Sequence, residues 1–192
     1  MGRLPIIPVE EMTEEQKQIQ ESIAGGKRGG FRGPFNVWVY RPEYLKRLDK
    51  VGEYVRFLSV LPPRLSEFAI LITACHWSAQ YEWFAHEPHA LKGGLDPEII
   101  AAVRDRRRPE GMQPDEAALY DFCIELHENK SVSDASYQEA INQFGVDGTV
   151  DLTVLVGHYA MVSMTLNAFE VPLPEGVEPP LSISPAPDTD KM

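Results

Sequence analysis

Cysteine is nearly absent from this chain: Cys75 and Cys123 are the whole supply, and 48 positions separate them. Two thiols so placed form neither a disulfide framework, nor a C-x-x-C redox pair, nor a zinc cluster. A reducing cytoplasm is the expected location. Long apolar runs are also missing. No stretch reaches the roughly 18 uninterrupted apolar residues of a membrane-spanning helix; Leu152 to Phe169 comes nearest, and His158, Asn167 and several hydroxyls break it. Pro5, Pro8 and the Glu10–Glu11 pair deny the N-terminus the basic-then-apolar pattern of a secretory signal. Positive charge is scarce, with 18 basic residues against 29 acidic ones and a formal charge of −11. Such a surface repels a phosphate backbone and an anionic bilayer alike, so neither nucleic acid nor membrane is an expected partner. Alternating apolar and polar runs of the β type are absent, as is any repeat of fixed period.

What remains is helical punctuation. Of the 192 residues, 43% are apolar and 24% charged, which suits one domain with extended ends. Residues 1–12 read as an arm. Thr13 with Gln16 makes a capping box that opens a helix to about Ala24. Residues 25–34, five of them glycine, form a loop. A phosphate cradle is disfavoured there, because no strand precedes the loop and no G-K-[ST] closes it. Pro42 opens a helix with apolar Leu45, Leu48, Val51, Val55 and Leu58, ended by Leu61-Pro62-Pro63. Further helices are expected over Leu65–Ala74 with Ser66 as cap, Tyr81–Leu91, and from Asp96-Pro97 to Arg104. Three more follow over 114–128, 133–144 and 148–168, with Gly145 ending the middle one. Six prolines from Pro172 to Pro187 keep the tail out of a helix. The fold class is all-α. Residues 1–30 make the arm, short helix and loop, 31–170 the helical domain, and 171–192 the tail, which packs on the surface or on a neighbouring subunit.

One segment concentrates chemistry. Arg64 to His89 holds three of the five histidines, two of the three tryptophans, and Glu67, Glu82 and Glu87. Glu82 and His86 are four apart on one helix, so their side chains are neighbours. A carboxylate beside an imidazole raises its proton affinity, which suits a general acid/base. Glu67 would lie about 28 Å from His86 on a continuous helix. They meet only if the chain turns back between them or a second subunit supplies one. His76-Trp77-Ser78 is the expected break, with Ser78 capping the next helix. Ordinary alternatives exist: an exposed Glu–His pair, a glutamate at a helix start serving the dipole, and tryptophans in the core. A metal site is disfavoured, because His86 and His89 are split by Pro88 and no ligand pair fits one helix face.

In this segment the sequence resembles the carboxymuconolactone decarboxylase and alkylhydroperoxidase-D family. The peroxidase branch has a glutamate, eleven residues, C-x-x-C, three more residues and a histidine. Here Glu67, eleven residues, Ala79-Gln80-Tyr81-Glu82, three residues and His86 follow the same spacing. The resemblance therefore places Glu67 and His86 on the family's proton-relay pair. Ala79 and Glu82 stand where its cysteines would be, so a dithiol peroxidase mechanism has no nucleophile. Gly33-Pro34-Phe35-Asn36-Val37-Trp38 and Leu166 to Pro174 also resemble the thiol-free branch. The resemblance implies an alkylhydroperoxidase-D-like helical bundle that assembles as a homotrimer or homohexamer, a dimer being the alternative. Its site would lie near a subunit interface.

The activity expected is a cofactor-free, metal-free decarboxylation of a small unsaturated lactone or organic acid. His86 would be the proton donor, tuned by Glu67 and Glu82. Lactone hydrolysis or isomerisation at the same site, or a non-catalytic scaffold, are the alternatives. Tyr81, Trp83, Phe35, Asn36, Trp38 and His158 are candidates for the substrate wall, although His158 in its apolar helix also reads as a core histidine. Arg32, Arg41 and Arg64 are candidates for a substrate carboxylate.

Overall fold

The computed structural model describes residues 2–27 and 29–182. Those residues form eight α-helices, with no strand among them: α1 (Glu14–Ala24), α2 (Phe35–Trp38), α3 (Pro42–Phe57), α4 (Pro63–His76), α5 (Gln80–Gly93), α6 (Pro97–Arg104), α7 (Pro114–Asn129) and α8 (Asp134–Ala168). The all-α expectation holds.

α4 is the axis of the bundle. Every residue from Leu65 to Cys75 is buried, and α5, α6, α7 and α8 pack round it. A helix apolar on all sides is stable only inside a core. Phe68, Ile70, Leu71 and Ile72 are at most 2% exposed, each contributing about 1.5–3 kcal/mol by leaving water. Arg64 anchors the start of α4 by paired contacts to Asp115 and Glu116 in the first turn of α7.

Local signals set most boundaries. Gln16 N donates to Thr13 Oγ1 and Thr13 N to Gln16 Oε1, the expected capping box. Asp96 accepts from Glu98 N at the start of α6. α8 contains two helical stretches that meet at Gly145, whose φ of 67° interrupts the helix where the sequence placed a stop. By length and composition α8 could cross a bilayer, but half of its apolar window is buried inside the protein.

Four local expectations are corrected. α4 begins at Pro63, with proline preset for a first helical position, so Ser66 lies inside the helix rather than capping it. α3 ends at Phe57, and Val51 and Leu58 are exposed: they flank the inward stripe of Leu45, Gly52 and Val55. The short α2 was not expected after the glycine loop. Ser78 does not cap α5: it takes a left-handed φ of 51° before Ala79, and its Oγ instead accepts from Arg106.

The arm and tail run side by side. Arg3 N donates to Phe169 O, and the Tyr40 hydroxyl donates to Pro5 O. The tail returns over the N-terminus of α5, where Gln80 exchanges two hydrogen bonds with the backbone of Leu181, itself 3% exposed. Pro185 and Pro187 lie outside the described residues.

Candidate active site

The α4–α5 hairpin makes the site. α4 stops at Trp77, Ser78 turns the chain, and Asn167 of α8 donates to the Trp77 carbonyl at 2.7 Å, fixing the turn. The two helices then run back along each other. Glu67, one turn into α4, comes level with His86, 19 residues later.

The result is a buried three-residue cluster. His86 Nδ1 lies 2.5 Å from Glu67 Oε2, and Nε2 lies 3.0 Å from Glu82 Oε1. Exposure is 6% for Glu67, 3% for Glu82 and 4% for His86, which rules out a solvated surface pair. The Tyr159 ring of α8 packs edge-on against the imidazole at 5.1 Å. Burial alone would push the imidazolium down, but the two carboxylates outweigh it and raise His86 to about 9. With a carboxylate at each nitrogen, both ring nitrogens donate and the ring is charged at neutral pH. Burial would likewise push the Glu67 carboxyl up, and the His86 cation beside it prevails, holding it below the usual carboxylate range.

All three residues line a cavity of about 900 Å³ bounded by α3, α4, α5, α8 and the glycine loop. Tyr81, Phe35, Trp38, His158 and Arg32, all expected on the wall, line it too. Trp38 is oriented by an Nε1 hydrogen bond to Thr165. Tyr81 leans on Gly33, where an added Cβ would sit 2.5 Å from the tyrosine ring. Gly33 also has a φ of 61°, so both the contact and the backbone require glycine.

Other expected wall residues are elsewhere. Trp83 is fully buried in the core, donates Nε1 to Glu87 and carries the Arg104 guanidinium 5.5 Å over its ring. It lies 100° round α5 from Glu82, so it faces away when Glu82 and His86 face in. Asn36 and Arg41 do not line the cavity, and Arg64 is spent on Asp115 and Glu116. Sequence reasoning missed Arg56 of α3 and His89 of α5 as wall residues; both line the cavity, His89 from an exposed position at its edge. The spacing of His86 and His89, one helical turn apart, was the available signal for the second. Nothing local marked the first.

Neither thiol takes part. Cys75 donates to the Val103 carbonyl, and burial pushes the Cys123 thiol far up. Among the described residues, no group of three or more His, Cys, Asp and Glu side chains is arranged to hold a metal ion.

The backbone matches known structures. A peroxidase-related protein from Ralstonia eutropha JMP134 with the alkylhydroperoxidase AhpD core superposes with a TM-score of 0.74. It is 14% identical, over 91% of this chain and 93% of that one. A peroxidase-related protein from Silicibacter sp. TM1040 gives 0.73 at 14% identity, over 89% and 91% of the two chains. The debrominase Bmp8, solved in complex with 2,3,4-tribromopyrrole, gives 0.65 at 10% identity, over 83% and 85%. The fold is alkylhydroperoxidase-D-like. No protein-family model matches the sequence, and no curated protein matches it. At these identities the likeness extends to the fold and not to the activity.

Proposed function

We propose that this chain is a cofactor-free decarboxylase of a small unsaturated lactone or organic acid, working by proton transfer in the manner of the carboxymuconolactone decarboxylases. The observation that carries the reading is His86 held between Glu67 and Glu82 on a cavity wall, with Ala79 and Glu82 at the two thiol positions. Decarboxylation beside a conjugated carbonyl breaks the bond from carbon to the carboxylate. The electron pair moves into the carbonyl to give a dienolate, carbon dioxide leaves, and the dienolate carbon takes a proton. Both N–H groups of His86 are committed to carboxylates, so the proton reaches substrate through Glu82. Glu82 has no ion-pair partner but His86 among the described residues. It accepts the Nε2 proton, passes it to carbon, and water recharges the relay. Glu67 holds the imidazolium in place and sets its proton affinity.

Bmp8 is a precedent for chemistry on a small conjugated ring in this architecture. Exposed apolar side chains on α3 and α8, among them Val51, Tyr54, Val150 and Val154, are the faces on which a homotrimer or homohexamer would assemble. A cytoplasmic enzyme is the setting that goes with this reading.

The test is carbon dioxide release from a panel of unsaturated lactones and keto acids, by wild type and by His86→Gln and Glu82→Gln variants checked for folding. Release that falls about a hundredfold or more in both folded variants supports the proposal. No release from any candidate refutes decarboxylation. Ring-opened or isomerised products in the same samples would then reassign the relay to hydrolysis or isomerisation.

A further inference from the structure

The chain as a whole is acidic, yet the cavity wall is not: Lys27, Arg32, Arg56 and Lys92 face it, against Asp49, Glu67 and Glu82. Glu67 and Glu82 both lean on His86, so the wall cations are not consumed by the relay. Arg56 stands out among them. Three other arginines of the bundle, Arg64, Arg104 and Arg108, each contact a carboxylate. Arg56 is half-buried and makes no salt bridge among the described residues; its guanidinium lies 5.4 Å from the centre of the Phe57 ring. It lies close enough to Glu67 to favour that group's ionised form. His89 and Lys92 reach the same wall from the last turns of α5, and the His89 ring is 6.0 Å from that of His86. A half-buried guanidinium with no salt bridge among the described residues, on one wall with an imidazole and an ammonium, is an arrangement that receives an anion.

We propose that Arg56, His89 and Lys92 form the subsite that holds the carboxylate of a conjugated organic acid, with Arg56 as its anchor. The assignment rests on the proton-transfer reading above, and its anchor is none of the three arginines, Arg32, Arg41 and Arg64, that the sequence offered for a carboxylate. Four groups face His89: Glu67 from α4, Arg56 from α3, and His86 and Lys92 from α5. Burial and the three cations keep its ring neutral, outweighing Glu67. A carboxylate docked on Arg56 offsets those cations, so binding draws a proton onto His89.

Calorimetric titration of the full chain with cinnamate and with its neutral isostere cinnamamide tests the subsite without requiring turnover. Wild type should bind the carboxylate at least about tenfold more tightly, the effect of one charge-assisted hydrogen bond. Arg56→Gln should reduce that preference below threefold, whereas Lys46→Gln, the same charge change on the outer face of α3, should leave it intact. Titration in two buffers of different ionisation enthalpy should show proton uptake that His89→Gln abolishes; no uptake removes His89 from the subsite. No preference for cinnamate in folded wild type, or a preference that survives Arg56→Gln, overturns the proposal. Anion preference without any carbon dioxide release would overturn the decarboxylase and leave the subsite standing. Release with an unchanged KM in Arg56→Gln would do the reverse.

Discussion

The charge state of His86 can be tested through stability alone, before any substrate is known. Its folded-state pKa is raised to about 9 from an ordinary 6.5. A raised value means that the folded form binds the proton more tightly than the unfolded chain. The stabilisation is therefore complete below pH 6.5 and is lost as pH climbs through about 9. Between those limits the slope approaches about 1.4 kcal/mol per pH unit. Evaluated from pH 7.5 to 8.5, the loss is about 1 kcal/mol. Within this window the other histidines and the tyrosines contribute little. His76, His89 and His127 have lowered values and are already neutral in both states. The tyrosines with raised values begin to ionise in the unfolded chain only nearer pH 9 and above. The two thiols, raised by burial from an ordinary 9.0, add a smaller loss of the same sign that wild type and a Glu67→Gln variant share, so the difference between the two profiles reports the imidazole. Urea unfolding at half-unit intervals would measure the slope. In Glu67→Gln the larger of the two raising charges is gone while the shape is kept, so the same interval should lose less than half as much. A flat wild-type profile, or a Glu67→Gln variant with the wild-type slope, would refute the claim that the relay holds a charged imidazole.

Other substitutions separate scaffold from site. Arg64→Ala should cost about 3 kcal/mol in urea unfolding, because it strands Glu116, which is 2% exposed; its cinnamate affinity should match wild type. Gly33→Ala meets both the Tyr81 ring and a left-handed backbone, so it should lower stability by about 1–3 kcal/mol and raise KM for any substrate found. Trp83→Phe loses the hydrogen bond to Glu87 and should lower the melting temperature without altering anion binding.

Much of the fold was legible because helix ends are local. The Thr13–Gln16 box, the Asp96-Pro97 start and the Gly145 interruption each depend on residues within one turn, and each occurs where the pattern put it. The Glu82–His86 pairing was legible for the same reason. The meeting of Glu67 and His86 required one further step, a reversal at residues 76–78, and the turn at Trp77-Ser78 supplies it. Burial was not legible. The same Glu–His spacing occurs on solvated helices, and it is Tyr159, together with the surrounding bundle, that dries this one.

The wall of the cavity shows where local reading stops. Trp83 and Asn36 are adjacent in sequence to wall residues, but neighbours in a helix point 100° apart, so proximity along the chain misassigned them. Arg64 looked free until α7 delivered Asp115 and Glu116 to it. Arg56 sits on a helix with no chemical signature, and only the packing of α3 against α1, α2 and α8 brings it near Glu67. The sequence by itself determined an all-helical chain without a usable thiol pair, because composition, caps and residue identity are properties of short stretches. Tertiary structure alone decided which ionisable groups lost water and which lost their counter-ions. Desolvation and pairing depend on neighbours supplied by distant segments, and these hold His86 charged between Glu67 and Glu82 and leave Arg56 without a salt bridge among the described residues.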